Sequence, residues 1–208
     1  MRASMLGSGI AIAVAVIALL GTGASAQTLE QPRARQGYYV SIGGGAVATA
    51  VSDKDLGDET LVGSSIAIGL GQMVTPCFGL GIRIDSTSGT ADSTTAGGGG
   101  LSIEGQWNPW KQLGVHAGFG FGFASLEDTD ALEDATSGGY GALVTAALTY
   151  DWFFTSRTTG GWAVTPGLQV SGLEGGDLDA IAFGLGVQIS WWSGRPRNEL
   201  VLPEDEAY

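Results

Sequence analysis

Three residues of this sequence could do chemistry together: His116, Glu104 and Arg83. His116 is the only histidine in 208 residues. It alternates with Gly114, Gly118, Gly120 and Gly122, so it shares the small-residue face of its segment. A hairpin turn centred on Trp110 would set His116 opposite Glu104. A loop centred between Ser93 and Thr94 would set Glu104 opposite Arg83, and Asp85 lies on the same face two residues on. An imidazole beside a carboxylate and a guanidinium could relay a proton or act as a general base. The same four groups could equally form a charge network that fills the space behind the strands, each charge held by a partner. Other catalytic signatures are missing. No serine stands in a G-x-S-x-G turn, and a single histidine excludes H-E-x-x-H. The glycine clusters at 43–45 and 97–100 precede neither a Lys-Ser/Thr pair nor a helical pattern, so they are not phosphate loops. Cys77, the only cysteine, sits beside Pro76 in a predicted tight turn and has no second thiol to pair with.

The elements that must position these groups are strands. Large apolar and small or polar residues alternate over about 37–48, 62–72, 78–88, 99–108, 113–125, 139–153, 161–173 and 180–192. Period two over such lengths predicts eight strands with two unlike faces. One face carries residues such as Ile42, Ile68, Ile84, Ile103, Leu168 and Leu185; the other is mostly Gly, Ala, Ser and Thr with a few charges. A soluble sheet hides its apolar face and shows charged residues to water. Here the second face holds too few charges for that. The pattern fits a sheet turned inside out, with large apolar residues toward lipid and small and polar ones toward the inside of a closed barrel. The segment "AGFGFGFA" is the sharpest case: Phe119, Phe121 and Phe123 would meet acyl chains, while Gly118, Gly120 and Gly122 let the narrow interior close. Lipid offers no hydrogen bonds, so only closure pairs every backbone group. The predicted fold is all-β, an eight-stranded antiparallel up-and-down transmembrane β-barrel.

The ends and the composition agree. Arg2, an apolar run over 10–20 and the small residues Ala24 and Ala26 read as a signal peptide over 1–26. The run is about 11 residues, whereas a membrane-spanning helix needs about 20. Residues 27–36 would be a short periplasmic segment, 37–192 the barrel and 193–208 a periplasmic tail. Removing Arg2 leaves 8 basic residues against 21 acidic ones. Nucleic acid, which needs clustered Lys and Arg, is therefore excluded as a partner. No cofactor is implied.

The connectors split into two kinds. Those at 51–61, 89–98, 126–138 and 174–179 read as long acidic loops, holding 13 of the 21 acidic residues and one base, Lys54. The alternate ones are shorter and slightly basic, and all six tryptophans (107, 110, 152, 162, 191 and 192) lie at that second end. Tryptophan favours the membrane interface, and barrels of this kind keep long loops outside and short turns in the periplasm. The expected topology therefore has an acidic outer end and a periplasmic tryptophan girdle. Asp128, Asp130, Glu133 and Asp134 could hold a divalent cation, bridging the barrel to lipopolysaccharide, though the run lacks EF-hand spacing. They could equally be solvated charges with no site.

From these residues the chain resembles the small outer-membrane β-barrels of Gram-negative bacteria, the group containing the OmpA transmembrane domain and OmpX-like proteins. The last strand, Gly184 to Trp191 ("GLGVQISW"), resembles the signal read by the barrel-assembly machinery. In the group an aromatic residue often ends the chain, whereas here 16 residues follow Trp192. The resemblance implies a fold and a place in the outer membrane, with lipid and lipopolysaccharide as neighbours. It implies no single activity. The residues favour a structural or surface-interaction role with a plugged interior. The alternatives are a narrow porin-like channel, a lipid-modifying barrel enzyme, or a soluble periplasmic barrel that binds a ligand.

Overall fold

The computed structural model describes residues 35, 37–54, 57–75, 77–110, 112–128, 135–154, 160–176 and 178–194. The signal-peptide expectation and nearly all of the tail lie outside them. The strands are β1 (Tyr38–Asp53), β2 (Gly57–Met73), β3 (Phe78–Ala91), β4 (Thr94–Trp107), β5 (Leu113–Asp128), β6 (Ala135–Tyr150), β7 (Trp152–Phe153), β8 (Gly161–Gly175) and β9 (Leu178–Trp192). Each long strand pairs antiparallel with the next. β1 pairs with β9 from Tyr39↔Trp192 to Asp53↔Leu178, which closes the sheet. Eight strands make the barrel, and β7 is a two-residue ribbon against β8. The fold is the one the alternation predicts.

The outward face is the apolar one. Ile42, Ile68, Ile84, Ile103, Phe119, Phe121, Leu168 and Leu185 all stand exposed. On β5 this belt runs from Leu113 to Phe123. Ten steps of about 3.3 Å, tilted by about 40°, give about 25 Å, the height of the apolar band of a membrane barrel. Trp110, Trp152, Trp162 and Trp191 stand exposed at the end where β1 begins. At the opposite edge of the belt the Phe123 and Tyr140 rings sit 6.3 Å apart.

Trp192 corrects the six-tryptophan girdle. It lies at the right end but is 2% exposed, because neighbouring residues of a strand cannot face the same way. With Trp191 outward, Trp192 turns in and packs on Tyr39 and Met73.

The long acidic loops are corrected too. The strands continue through most of them, leaving only 54–56, 92–93, 129–134 and 176–177 as connectors. Pairing continues past the apolar belt because hairpin hydrogen bonds do not require lipid-facing residues. Outward Ser86, Ser88 and Thr90 mark the polar extension on β3. Asp92 makes the tight turn at φ 46°, a left-handed conformation Asp tolerates better than most residues. Among the described residues, Asp58, Glu59, Glu127, Glu174 and Asp179 therefore stand on a paired polar extension of the sheet.

Inside, glycine sets how closely strands approach. A Cβ on Gly120 would lie 1.9 Å from the Leu101 carbonyl oxygen, and one on Gly141 would lie 1.7 Å from that of Glu174. The inward face is not uniformly small. Val51, Leu61, Leu126 and Leu178 form a buried apolar cluster at the acidic end. This cap is absent from the alternation-based expectation because its members sit on the face that otherwise carries small and polar residues.

Candidate functional site

Between the apolar cap and the tryptophan end, the lumen is crossed by charged side chains. Arg83 extends from β3. Its Nε donates to Asp85 Oδ1 at 2.7 Å, and one Nη donates to Gln169 Oε1 on β8 at 2.8 Å. Gln169 Nε2 in turn donates to Ser65 Oγ on β2 at 3.2 Å. The other Nη lies 3.8 Å from Glu104 Oε2. Glu104 Oε1 lies 2.9 Å from His116 Nδ1, and His116 Nε2 lies 3.0 Å from Thr149 Oγ1 on β6. Gln106 Nε2 donates to Asn108 Oδ1 nearby. The chain of contacts thus runs around and across the barrel. Inside a low-dielectric lumen, each unpaired charge would be costly, and the network sets Asp85 and Glu104 against Arg83 and leaves His116 within hydrogen-bonding distance of Glu104 and Thr149.

All four sequence-predicted interior residues come together, but through a different register. His116 pairs with Gln106, and Glu104 with Gly118. Arg83 pairs with Ser102, and Gly81 with Glu104. The expected turn centres, Trp110 and the Ser93–Thr94 bond, are each one residue off; the observed β3–β4 turn is Asp92-Ser93. Moving a turn centre by one residue slides the pairing by two, which preserves the face. Side chains two positions apart on neighbouring strands remain within reach, so the contacts form diagonally.

Besides Asp53, read as part of an acidic loop but 2% exposed at the end of β1, two interior charges escape the sequence reading. Arg35, before β1, and Asp151, after β6, form a buried ion pair: Arg35 Nε donates to Asp151 Oδ2 at 2.7 Å. Thr165 Oγ1 donates to Asp151 Oδ1 at 2.7 Å. Asp151 is also where the expected strand 139–153 breaks into β6 and β7. The sequence hint is the lone carboxylate in "TYDWFF", where a lipid-facing run has no use for it.

The lumen is not solid. A cavity of about 80 Å³ lies between the polar belt and the apolar cap, bounded by Arg83, Asp85, Glu104, Leu143, Leu173 and Leu178 among others. A second, of about 40 Å³, lies toward β8 and β9. A third, of about 10 Å³, lies between the polar belt and the Tyr39–Trp192 pair. Arg83 borders all three, so it is the partition between them.

The side chains of the proposed cation residues fall where the structure is not described. The backbone of Asp128 ends β5, and its side chain, with Asp130, Glu133 and Asp134, lies outside the described residues. Among the described residues no group of three His, Cys, Asp or Glu is arranged to hold a metal. No described helix is long and apolar enough to cross a membrane, which does not bear on a barrel.

No protein-family model matches the sequence. No curated protein matches it either. Solved structures do. The attachment invasion locus protein Ail of Yersinia pestis superposes with a TM-score of 0.56 at 10% identity, over 74% of this chain and 99% of Ail. Ail in complex with the heparin analogue sucrose octasulfate gives 0.55 at 10% identity, over the same shares. Neisserial surface protein A gives 0.49 at 14% identity, over 76% of this chain and 97% of that one. At such identities the likeness is one of fold. With a closed eight-stranded sheet, an outward apolar belt and a tryptophan ring at one end, the chain has the fold of the small outer-membrane β-barrels, the group of the OmpA transmembrane domain and OmpX-like proteins.

Proposed function

We propose that this chain is an integral protein of the Gram-negative outer membrane, with a plugged lumen and a structural or surface-interaction role carried by its acidic end. The observation that carries the reading is the lumen itself. Arg83 reaches from β3 to Gln169 on β8, and an apolar cluster caps the space above it. A channel for solutes would have to displace both. Catalysis is disfavoured by the use already made of the one histidine: both ring nitrogens face fixed partners, Glu104 and Thr149.

The protruding acidic strands would face the exterior, and the tryptophan end the periplasm. Lipopolysaccharide and outer-membrane lipid are then the surroundings, divalent cations bridge the acidic rim to anionic headgroups, and the last strand is the feature offered to the barrel-assembly machinery. Hard cations such as Ca²⁺ and Mg²⁺ take carboxylate oxygens. Ail shares the fold, and its structure has been determined with a heparin analogue, a polyanion. Here Asp58, Glu59, Glu174 and Asp179 sit at the rim, so this chain should repel such a ligand.

Fractionation with gel electrophoresis tests the reading. The protein should be recovered with the outer membrane and migrate differently before and after boiling, because its backbone hydrogen bonds are all internal. Recovery from the soluble periplasm without a heat shift would overturn it. Steady conductance of purified protein in planar bilayers would replace the plug with a channel.

A further inference from the structure

The Arg35 side chain, just before β1, does not stay on β1's side of the barrel. Around the closed sheet the order is β1, β2, β3, β4, β5, β6, β8, β9, so β5 stands diametrically opposite β1. Gly37 belongs to the β1 side. Its carbonyl accepts from Met73 N–H at the end of β2, at 2.9 Å, and a Cβ there would strike Ser193 and Gly194 after β9. Arg35, two residues earlier, reaches the far wall. One Nη donates to the Gln112 carbonyl oxygen at 2.6 Å, and the other to that of Leu113, the first residue of β5, at 3.4 Å. The guanidinium also holds Asp151 just after β6. Two residues of chain span at most about 7 Å, so the arginine side chain must make up the rest of the crossing.

This is no surface ion pair of small consequence. Arg35 is 1% exposed and Asp151 3% exposed. The Asp151 carboxylate is aimed inward by Thr165, and its backbone N–H donates to the Gln112 carbonyl oxygen at 2.8 Å. The planar guanidinium therefore bonds a carboxylate and two carbonyl oxygens at once, a geometry arginine provides and lysine does not. Tyr39, Met73 and Trp192 fill the β1–β2–β9 half of the mouth; Arg35 and Asp151 fill the β5–β6 half.

We propose that Arg35 is a latch whose side chain ties the start of β1 across the tryptophan-ringed mouth and closes the lumen at that end. The latch needs β5, β6 and β8 in place across from a β1 already held by β2 and β9. It can engage only after the barrel has closed, and it then opposes reopening. It holds whichever side of the membrane this mouth faces.

Trypsin reads the latch directly, because the Arg35–Gln36 bond is itself a cleavage site. The full-length mature protein is folded in detergent, digested, and only the heat-shifting band is taken for N-terminal mass analysis. In the wild type that bond should survive long digestion, while boiling exposes it. In Asp151→Asn the folded band should lose Arg35 at least about tenfold faster, since proteolysis follows the population of the open form. Equal half-lives for the wild type and a folded Asp151→Asn would overturn the proposal. So would cleavage of the folded wild type as fast as the boiled sample. Where Asp151→Asn fails to fold, Arg35→Lys takes its place: it keeps the charge and the cleavage site but loses the fork, and it should be cut faster than the wild type. Equal rates there would overturn the latch as well.

Discussion

Removing Glu104 tests the lumen network with a magnitude the distances themselves set. Breaking a buried ion pair by deleting one partner costs about 3–5 kcal/mol, because the other charge is left stranded. Glu104→Gln should cost less. Arg83 keeps its 2.7 Å contact with Asp85 and its bond to Gln169, and loses only the looser 3.8 Å approach. The main loss is the 2.9 Å contact with His116. A hydrogen bond to a charged group is worth about 1.5–3 kcal/mol, so a loss of about 2–3 kcal/mol is expected. Arg83→Met should cost more, about 3–5 kcal/mol, because it leaves the Asp85 and Glu104 carboxylates inside without the guanidinium that lies between them.

The assay is urea unfolding in lipid vesicles, followed by tryptophan fluorescence and by the heat-shifted gel band. With a urea slope of about 1–3 kcal/mol/M, Glu104→Gln should lower the midpoint by about 1–2 M, and Arg83→Met by more. A double-mutant cycle with His116→Gln should give a coupling of about 0.5–3 kcal/mol. An unchanged midpoint for Glu104→Gln, or a larger loss there than for Arg83→Met, would refute the network as described.

Gly120→Val should abolish the folded gel band, because its side chain would have to occupy the place of the Leu101 carbonyl oxygen, 1.9 Å from the added Cβ. Leu61→Ala, in the apolar cap, should cost about 2–5 kcal/mol by the same urea measurement, the usual range for emptying a buried leucine site. Titration calorimetry with sucrose octasulfate should show no binding, since the rim is acidic; measurable heat would mean that some other face takes polyanions. Protease added to intact cells should cut within 129–134 and spare the tail at 195–208; the reverse pattern would invert the topology.

The parts of this fold that can be read from sequence are those governed by period two. The alternation of Phe119, Phe121 and Phe123 with glycine fixes which way every residue of β5 points, and closure follows from the need to pair backbone groups in lipid. The same parity places Arg83, Asp85, Glu104 and His116 inside together even though both hairpin centres are misplaced by one residue, because a two-residue slide returns each side chain to its own face. The girdle expectation set parity aside at Trp192 and counted it by its place at the strand end alone. With Trp191 facing lipid its neighbour has to turn inward, and the apparent girdle of six loses a member to the lumen.

What parity cannot supply is where a hairpin stops and what lies beyond its ends. Ser86, Ser88 and Thr90 look like loop because they are polar, yet they continue a paired strand once lipid no longer selects the outward face. Val51, Leu61, Leu126 and Leu178 sit on the face that reads as small and polar, and only the register of four separate strands brings them into one cap. Arg35 belongs to no periodic segment, and Asp151 interrupts one. Their meeting depends on the barrel's circular order, which places the residue before the first strand opposite the fifth. A chain that has to keep lipid on one face commits that face to a repeating pattern. Its individuality is then confined to the lumen and the two mouths, where a few aperiodic side chains decide whether the barrel is a passage or a plug. In this barrel they are paired charges and a leucine cap, and the proposed plug rests on them.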